Sequence, residues 1–146
     1  MELLIFKFKN MHTNIYTEHL SGKIITDIRG LSKDSDIVSI HFADGSYLSM
    51  YHDQDCCESV TLEDFDNDAE TLIGSTMLKV EECVSNASDE EFDPLDNYDY
   101  SYTWTFYNII TSKGTMKLRW YGTSNGWYSE DVTLSVTYPD DSIVLN

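Results

Sequence analysis

The chain repeats itself, and an internal repeat constrains a fold more tightly than composition does. LSGKIITDI at 20–28 aligns with LIGSTMLKV at 72–80, each reading L-x-G followed by apolar residues at near-alternating positions. Further on, GSYLSMYHDQDCCESVTL (45–62) runs beside GTMKLRWYGTSNGWYSEDVTL (114–134). Their shared frame is a Gly turn, an alternating strand, a Tyr, a short polar loop and a closing Glu-x-Val-Thr-Leu. Alternation with a period of two marks half-buried strands. The expected fold is therefore mostly β within the α+β class, with an antiparallel sheet built from two similar half-units and little helix. The half-units span about 20–65 and 72–138 of a single domain covering 1–146, a length that can bury a core.

The first hairpin pairs Ile37–Phe42 with Tyr47–Tyr51 across Ala43-Asp-Gly-Ser46, with Asp44-Gly45 as a two-residue turn. That register sets Val38, Ile40 and Phe42 on one face with Tyr47 and Tyr51, and His41 on the other with Leu48, Met50 and His52. The second hairpin runs Tyr102–Ile110, turns at Ser112-Lys-Gly114 and returns through Met116–Tyr121; a last strand covers Val132–Tyr138. Thr61–Phe65 reads as a turn of helix capped by Thr61. MELLIFKFKN at the start is apolar but lacks a basic region and a cleavage site, so it reads as a strand and not a signal peptide. No apolar run reaches the roughly 18 residues of a membrane span. A cytoplasmic location is the resulting expectation.

Composition enters through charge. A formal net charge of −17 repels phosphate backbones and acidic lipid and attracts basic surfaces. Direct nucleic-acid binding is excluded as a main activity, whereas binding to a protein that itself holds nucleic acid is favoured; solubility alone is the plainer use of the same charge. Between Asp53 and Tyr100 there are sixteen acids and one basic residue, Lys79. At its heart SNASDEEFDPLDNYDY (85–100) reads as a long acidic loop. A partner surface is expected there, formed by Asp89, Glu90, Glu91, Phe92, Asp93, Asp96, Tyr98 and Asp99, with Leu95 as a further apolar anchor.

HDQDCCE at 52–58 places one histidine and two cysteines within six residues. Imidazole and thiolate are preferred zinc donors, with carboxylate an acceptable fourth, so His52, Cys56, Cys57 and Asp55 are candidate ligands of a structural Zn2+. Both cysteines can serve only if the backbone turns sharply between them, since successive residues of an extended chain face opposite ways. A disulfide between neighbours needs a strained backbone, so thiols are expected. The plainer reading has His52 hydrogen-bonded and the cysteines packed as small hydrophobes; a reactive thiol is disfavoured by the surrounding carboxylates. The second half carries GTSNGWYS at this place, without metal-ligand types other than hydroxyls. Cys83 is expected in the core and His41 as a packed strand residue. Asp64–Asp68 lacks the glycine and glutamate of a calcium loop and reads as a solvated turn. No catalytic motif is present, so a non-enzymatic role is expected.

The YHDQDCCESV segment, the L-x-G…DG order before it and the TWTFY…RWYG…NGWYSE block after it resemble a family of small phage proteins of unknown function. The resemblance runs from about Leu20 to Val136. Such proteins include inhibitors of bacterial immunity, and the chain looks like a type II anti-CRISPR protein. This resemblance implies an inhibitor of an RNA-guided nuclease acting in the bacterial cytoplasm, with a zinc ion holding the loop after Tyr51. The alternatives are a metal-dependent hydrolase or redox protein using His52 and Cys56, and a phage structural protein assembling through its β edges.

Overall fold

A computed structural model of the chain describes residues 13–15, 17–86 and 101–146. Among the described residues, ten strands form two five-stranded antiparallel sheets, with one turn of α-helix, α1 (Thr17–Leu20), and a 3-10 turn at Ala69–Leu72. One sheet has the order β1 (Thr13–Ile15), β6 (Met77–Asn86), β7 (Ser101–Thr111), β8 (Gly114–Ser124), β5 (Ser59–Phe65). The other runs β10 (Ser142–Val144), β9 (Thr133–Thr137), β4 (Tyr47–Tyr51), β3 (Ile37–Phe42), β2 (Ile25–Arg29). The mostly β character agrees with the alternation in the sequence.

The two half-units are built alike and trade strands. Each makes a three-stranded meander, β2-β3-β4 or β6-β7-β8, and then sends its fourth strand into the other sheet: β5 pairs with β8 and β9 with β4. The starts of the halves bond to each other reciprocally. Gly22 N donates to Met77 O (2.9 Å) and Gly74 N to Ile25 O (2.7 Å); Ile25 N donates to Ser75 O (2.9 Å) and Met77 N to Lys23 O (2.7 Å). The isolated bridge Ile24–Thr76 lies at the centre of this set. Gly22 and Gly74, at φ +88 and +90°, supply the left-handed turns that bring both segments round.

Inward-facing residues of both sheets meet in one core. Val38, Ile40, Leu48, Met50, Leu134 and Val136 come from one sheet, and Leu62, Met77, Val80, Tyr107, Ile109, Met116, Leu118 and Trp120 from the other. Burying each aliphatic side chain contributes about 1.5–3 kcal/mol. A second cluster of Cys83, Tyr102, Trp104 and Phe106, with Tyr121 against it, occupies the opposite face of the first sheet. Cys83 is thus packed, as expected. Arg119 lies 4.8 Å above the Trp104 ring, its other neighbour being Asp64.

Two sequence expectations change. In the first hairpin Ile40 pairs with Leu48 and Val38 with Met50, so Leu48 and Met50 share the core face while His41 pairs with Tyr47. The cause is the turn: Phe42 N bonds Ser46 O and Gly45 N bonds Phe42 O, which makes a three-residue loop with Gly45 in the left-handed region. One extra loop residue moves every partner to the other face. Thr61–Phe65 is strand and not helix, because Thr61 and Leu62 pair with Tyr121 and Trp120 of β8, and ladder formation outweighs a local cap. The opening MELLIFKFKN lies outside the described residues.

Leu62 is fully buried on a strand that belongs in sequence to the first half and in space to the second half's sheet. Leu62→Ala is expected to cost about 2–5 kcal/mol. Urea unfolding followed by tryptophan fluorescence and by circular dichroism should remain a single coincident transition, since neither sheet is complete without the other half.

Candidate functional site

Two of the segments that pass between the sheets meet at one end of the molecule. Residues 52–58 carry the chain from β4 to β5, and residues 125–132 carry it from β8 to β9. The first crossing is organised by Glu58, whose side chain is fully buried. Its Oε2 faces His52 Nε2 at 2.8 Å and accepts from the Asp55 amide at 3.0 Å; its Oε1 accepts from the Cys56 amide at 2.8 Å. The Gln54 side-chain amide donates to the Glu58 carbonyl at 2.6 Å and to the Cys56 carbonyl at 3.2 Å. His52 Nδ1 donates to the Asp131 carbonyl at 2.6 Å, which ties this crossing to the second one. Both ring nitrogens thus face oxygen atoms of neighbouring groups.

The second crossing is organised by the matching glutamate. Glu130 is buried, and its carboxylate accepts from Thr103 Oγ1 (2.7 Å), Ser124 Oγ (2.5 Å) and Ser101 Oγ (3.3 Å). Hydroxyls here do what backbone amides and a histidine do at Glu58. The segment lies directly on β8 at Gly122, where a Cβ would come within 2.9 Å of the Glu130 carbonyl, 3.0 Å of its Cβ and 3.1 Å of Val60. Glu58 and Glu130 were absent from the candidate residues, although Glu-x-Val-Thr-Leu opens both closing strands. The signal was the shared glutamate itself, since an invariant acid in an otherwise apolar repeat marks a buried, hydrogen-bonded carboxylate.

The zinc candidates are arranged differently from the expectation. The backbone bends at Cys56-Cys57, as joint ligation would require, but the two sulfurs are joined to each other in a disulfide and not held as thiols. Glu58 produces the bend by holding the amides of Asp55 and Cys56. His52 is engaged at both nitrogens, and Asp55 is exposed. No group of three or more His, Cys, Asp or Glu among the described residues is set to hold a metal ion. As they stand, these donors do not fit zinc. His41 is a packed strand residue, stacked on Tyr47 at 5.0 Å with its Nε2 at 2.9 Å from Ser39 Oγ.

A pocket of about 300 Å3 opens beside Asp131, lined by Glu82, Val84, Thr105, Asp131, Val132, Thr133 and Asn146. Glu82 Oε2 accepts from the buried Tyr107 hydroxyl (2.6 Å) and from the Asn146 amide (3.2 Å). Burial, followed by the negative charges of Glu82 and Asp131, pushes the Tyr107 phenol well above its ordinary value. Among the described residues that line the pocket there is no lysine or arginine. The expected partner residues Asp89, Glu90, Glu91, Phe92, Asp93, Asp96, Tyr98 and Asp99 lie outside the described residues. The strand ends that flank them are placed: Asn86 pairs with Thr103, and Ser101 with Ser124. Ser101 thus stands beside the start of the second crossing. No described helix is long and apolar enough to cross a membrane.

Residues 18–134 match the family model described as a domain of unknown function, DUF7448, and the chain belongs to that family. No match was found among curated proteins or among solved structures.

The hydrogen bond from His52, then the amides of Cys56 and Asp55, hold the Glu58 carboxyl down at about 2 against an ordinary 4.5. Its contribution to stability is complete above about pH 4.5, where the unfolded chain is also ionised, and is lost as pH falls through 2. Glu58→Gln should flatten the loss of stability measured by urea denaturation across that window, leaving a protein that is less stable at neutral pH. Gly122→Ala should destabilise by about 1–3 kcal/mol in the same assay through overpacking against Glu130.

Proposed function

We propose that this chain, as a member of that family, is a non-enzymatic binding protein. Its acidic end docks on the basic surface of a nucleic-acid-handling enzyme, and the best candidate is a type II RNA-guided nuclease whose DNA binding it blocks. The observation that carries this reading is the distribution of charge. Of the seven Lys and Arg among the described residues, five lie within ion-pair distance of the chain's own carboxylates: Lys23 with Asp44, Arg29 with Asp27, Lys33 with Glu63, Lys79 with Glu81 and Arg119 with Asp64. At the crossing end, Asp53, Asp55 and Asp131 are exposed, Glu82 faces the pocket, and residues 52–58 and 124–132 contain no lysine or arginine. Asp68, Glu70, Asp140 and Asp141 are exposed elsewhere, and what sets the crossing end apart is that neither crossing segment places a lysine or arginine among its acids.

A nuclease of this class holds its heteroduplex in a positively charged channel and reads a short duplex motif with arginines. An acidic end would be steered to such a channel, and the carboxylates would stand where phosphates bind. Structural support for that end comes from Glu58, Glu130 and His52, so no metal is needed to hold the described loops in place. Metal-dependent hydrolysis has less to draw on, because His52 offers no open nitrogen and the cysteines are bridged to each other.

The test is competition between the purified chain and target DNA for a guide-loaded type II nuclease. Inhibition should weaken clearly as salt is raised from about 0.1 to 0.5 M, as screening shortens the Debye length. Replacing Asp53, Asp55 and Asp131 together by Asn should slow association more than it speeds dissociation. No competition at any salt, from a folded protein, would sink the proposal.

A further inference from the structure

We infer that the Cys56–Cys57 bridge is a thiol–disulfide exchange site that accepts electrons from small uncharged or cationic thiols and discriminates against anionic ones. This inference stands apart from the docking reading, because it concerns the chemistry of one bond and not the partner.

The first argument is that the bond holds nothing together. A cross-link stabilises chiefly by restricting the unfolded chain, and it does so least when the loop it closes is shortest. Neighbouring residues close the shortest loop available, with a sequence separation of one. The loop around the bridge is already fixed by the buried Glu58 carboxylate through the Asp55 and Cys56 amides, and by Gln54 through the Cys56 and Glu58 carbonyls. None of these bonds uses sulfur. Breaking the bridge therefore leaves the scaffold of the loop in place.

The second argument is access. Both Cys56 and Cys57 are exposed, so a thiol can reach either sulfur from solvent without opening the fold. The third cysteine makes the contrast: Cys83 is 1% exposed, and burial together with Glu82 raises its thiol to about 11. Reactivity towards solutes is thus confined to the vicinal pair.

The third argument sets the class of reductant. Asp53 and Asp55, both exposed, stand on the same seven-residue crossing, with no lysine or arginine in it. Their field lowers the local concentration of anions and raises that of cations. In the reaction a reductant thiolate attacks one sulfur, the Sγ–Sγ bond breaks, and the departing sulfur takes up a proton. A second reductant thiol then attacks the mixed disulfide, and the other cysteine is released as a thiol. Two electrons and two protons pass to the cysteines, and the two reductant thiols leave as their own disulfide. The attacking thiolate carries negative charge whatever its parent, so the rest of the molecule decides the sign: cysteamine brings an ammonium, 2-mercaptoethanol no charge, and glutathione a net negative charge.

The experiment measures reduction of the native chain by these three thiols, each corrected for its thiolate fraction and intrinsic nucleophilicity. Alkylation and mass spectrometry count the new thiols. Cysteamine should reduce the pair several-fold faster than glutathione at low salt, with 2-mercaptoethanol between them. The gap should close at about 0.5 M salt and in an Asp53→Asn/Asp55→Asn variant. Two alkyl groups should appear, on Cys56 and Cys57 and not on Cys83, while circular dichroism shows the fold retained. Any of three results would overturn the inference: alkylation of the pair before any reductant is added, reduction that occurs only with unfolding, or rates that ignore both charge and salt.

Discussion

Everything in this molecule depends on the exchange of fourth strands. Each half-unit makes three strands that cannot close a sandwich alone, and each gives its last strand to the other half. β5 covers the edge of β8, and β9 covers the edge of β4. The reciprocal bonds between Gly22 and Met77 and between Gly74 and Ile25 fix how the two meanders meet, and the Ile24–Thr76 bridge sits where any two-fold relation between them would pass. The price of this arrangement is that the chain must cross between sheets after β4 and again after β8, and each of these two crossings carries a buried glutamate.

Those glutamates show how one structural demand is met with two chemistries. A segment leaving a sheet exposes amides and carbonyls that need partners. At the first crossing a carboxylate gathers the amides and is balanced by His52. At the second, the carboxylate is turned to three hydroxyls of β7 and β8, and a glycine lets the backbone lie close. His52 also reaches the Asp131 carbonyl, so the two crossings support each other. With five cations paired to carboxylates elsewhere, the exposed Asp53, Asp55 and Asp131 at the end these crossings build have no lysine or arginine in either crossing segment.

The repeat and its alternation made the β architecture legible, together with the hairpins at Gly45 and Gly114 and the packing of Cys83 and His41. Strand exchange was not legible, because alternation tells which residues face inward but not which sheet receives a strand. The first hairpin went astray on one residue of loop length, which no pattern of apolar residues reveals. Thr61–Phe65 misled because a capping residue followed by acids favours a helical turn locally, while the β8 partner that decides the matter lies some sixty residues on. At HDQDCCE the ligand-like residue types stood out, and the acid that organises them was passed over as background in an acidic chain. Only when the two Glu-x-Val-Thr-Leu segments are laid together does Glu58 separate from its neighbours.

The pairing of Met50 with Leu134 and of Leu62 with Trp120 has a consequence for biosynthesis. As the chain leaves the ribosome, the first meander emerges with its β4 edge bare, and its partner β9 follows only after β5 to β8 have been made. β5 likewise waits for β8. Neither sheet can be finished until the second half-unit has been made, so closure is dominated by long-range contacts, which makes it slow. Until then two strand edges are open to pairing with other chains. The heavy negative charge has a use at that stage independent of any partner, because it keeps nascent copies apart while they wait for their own last strand.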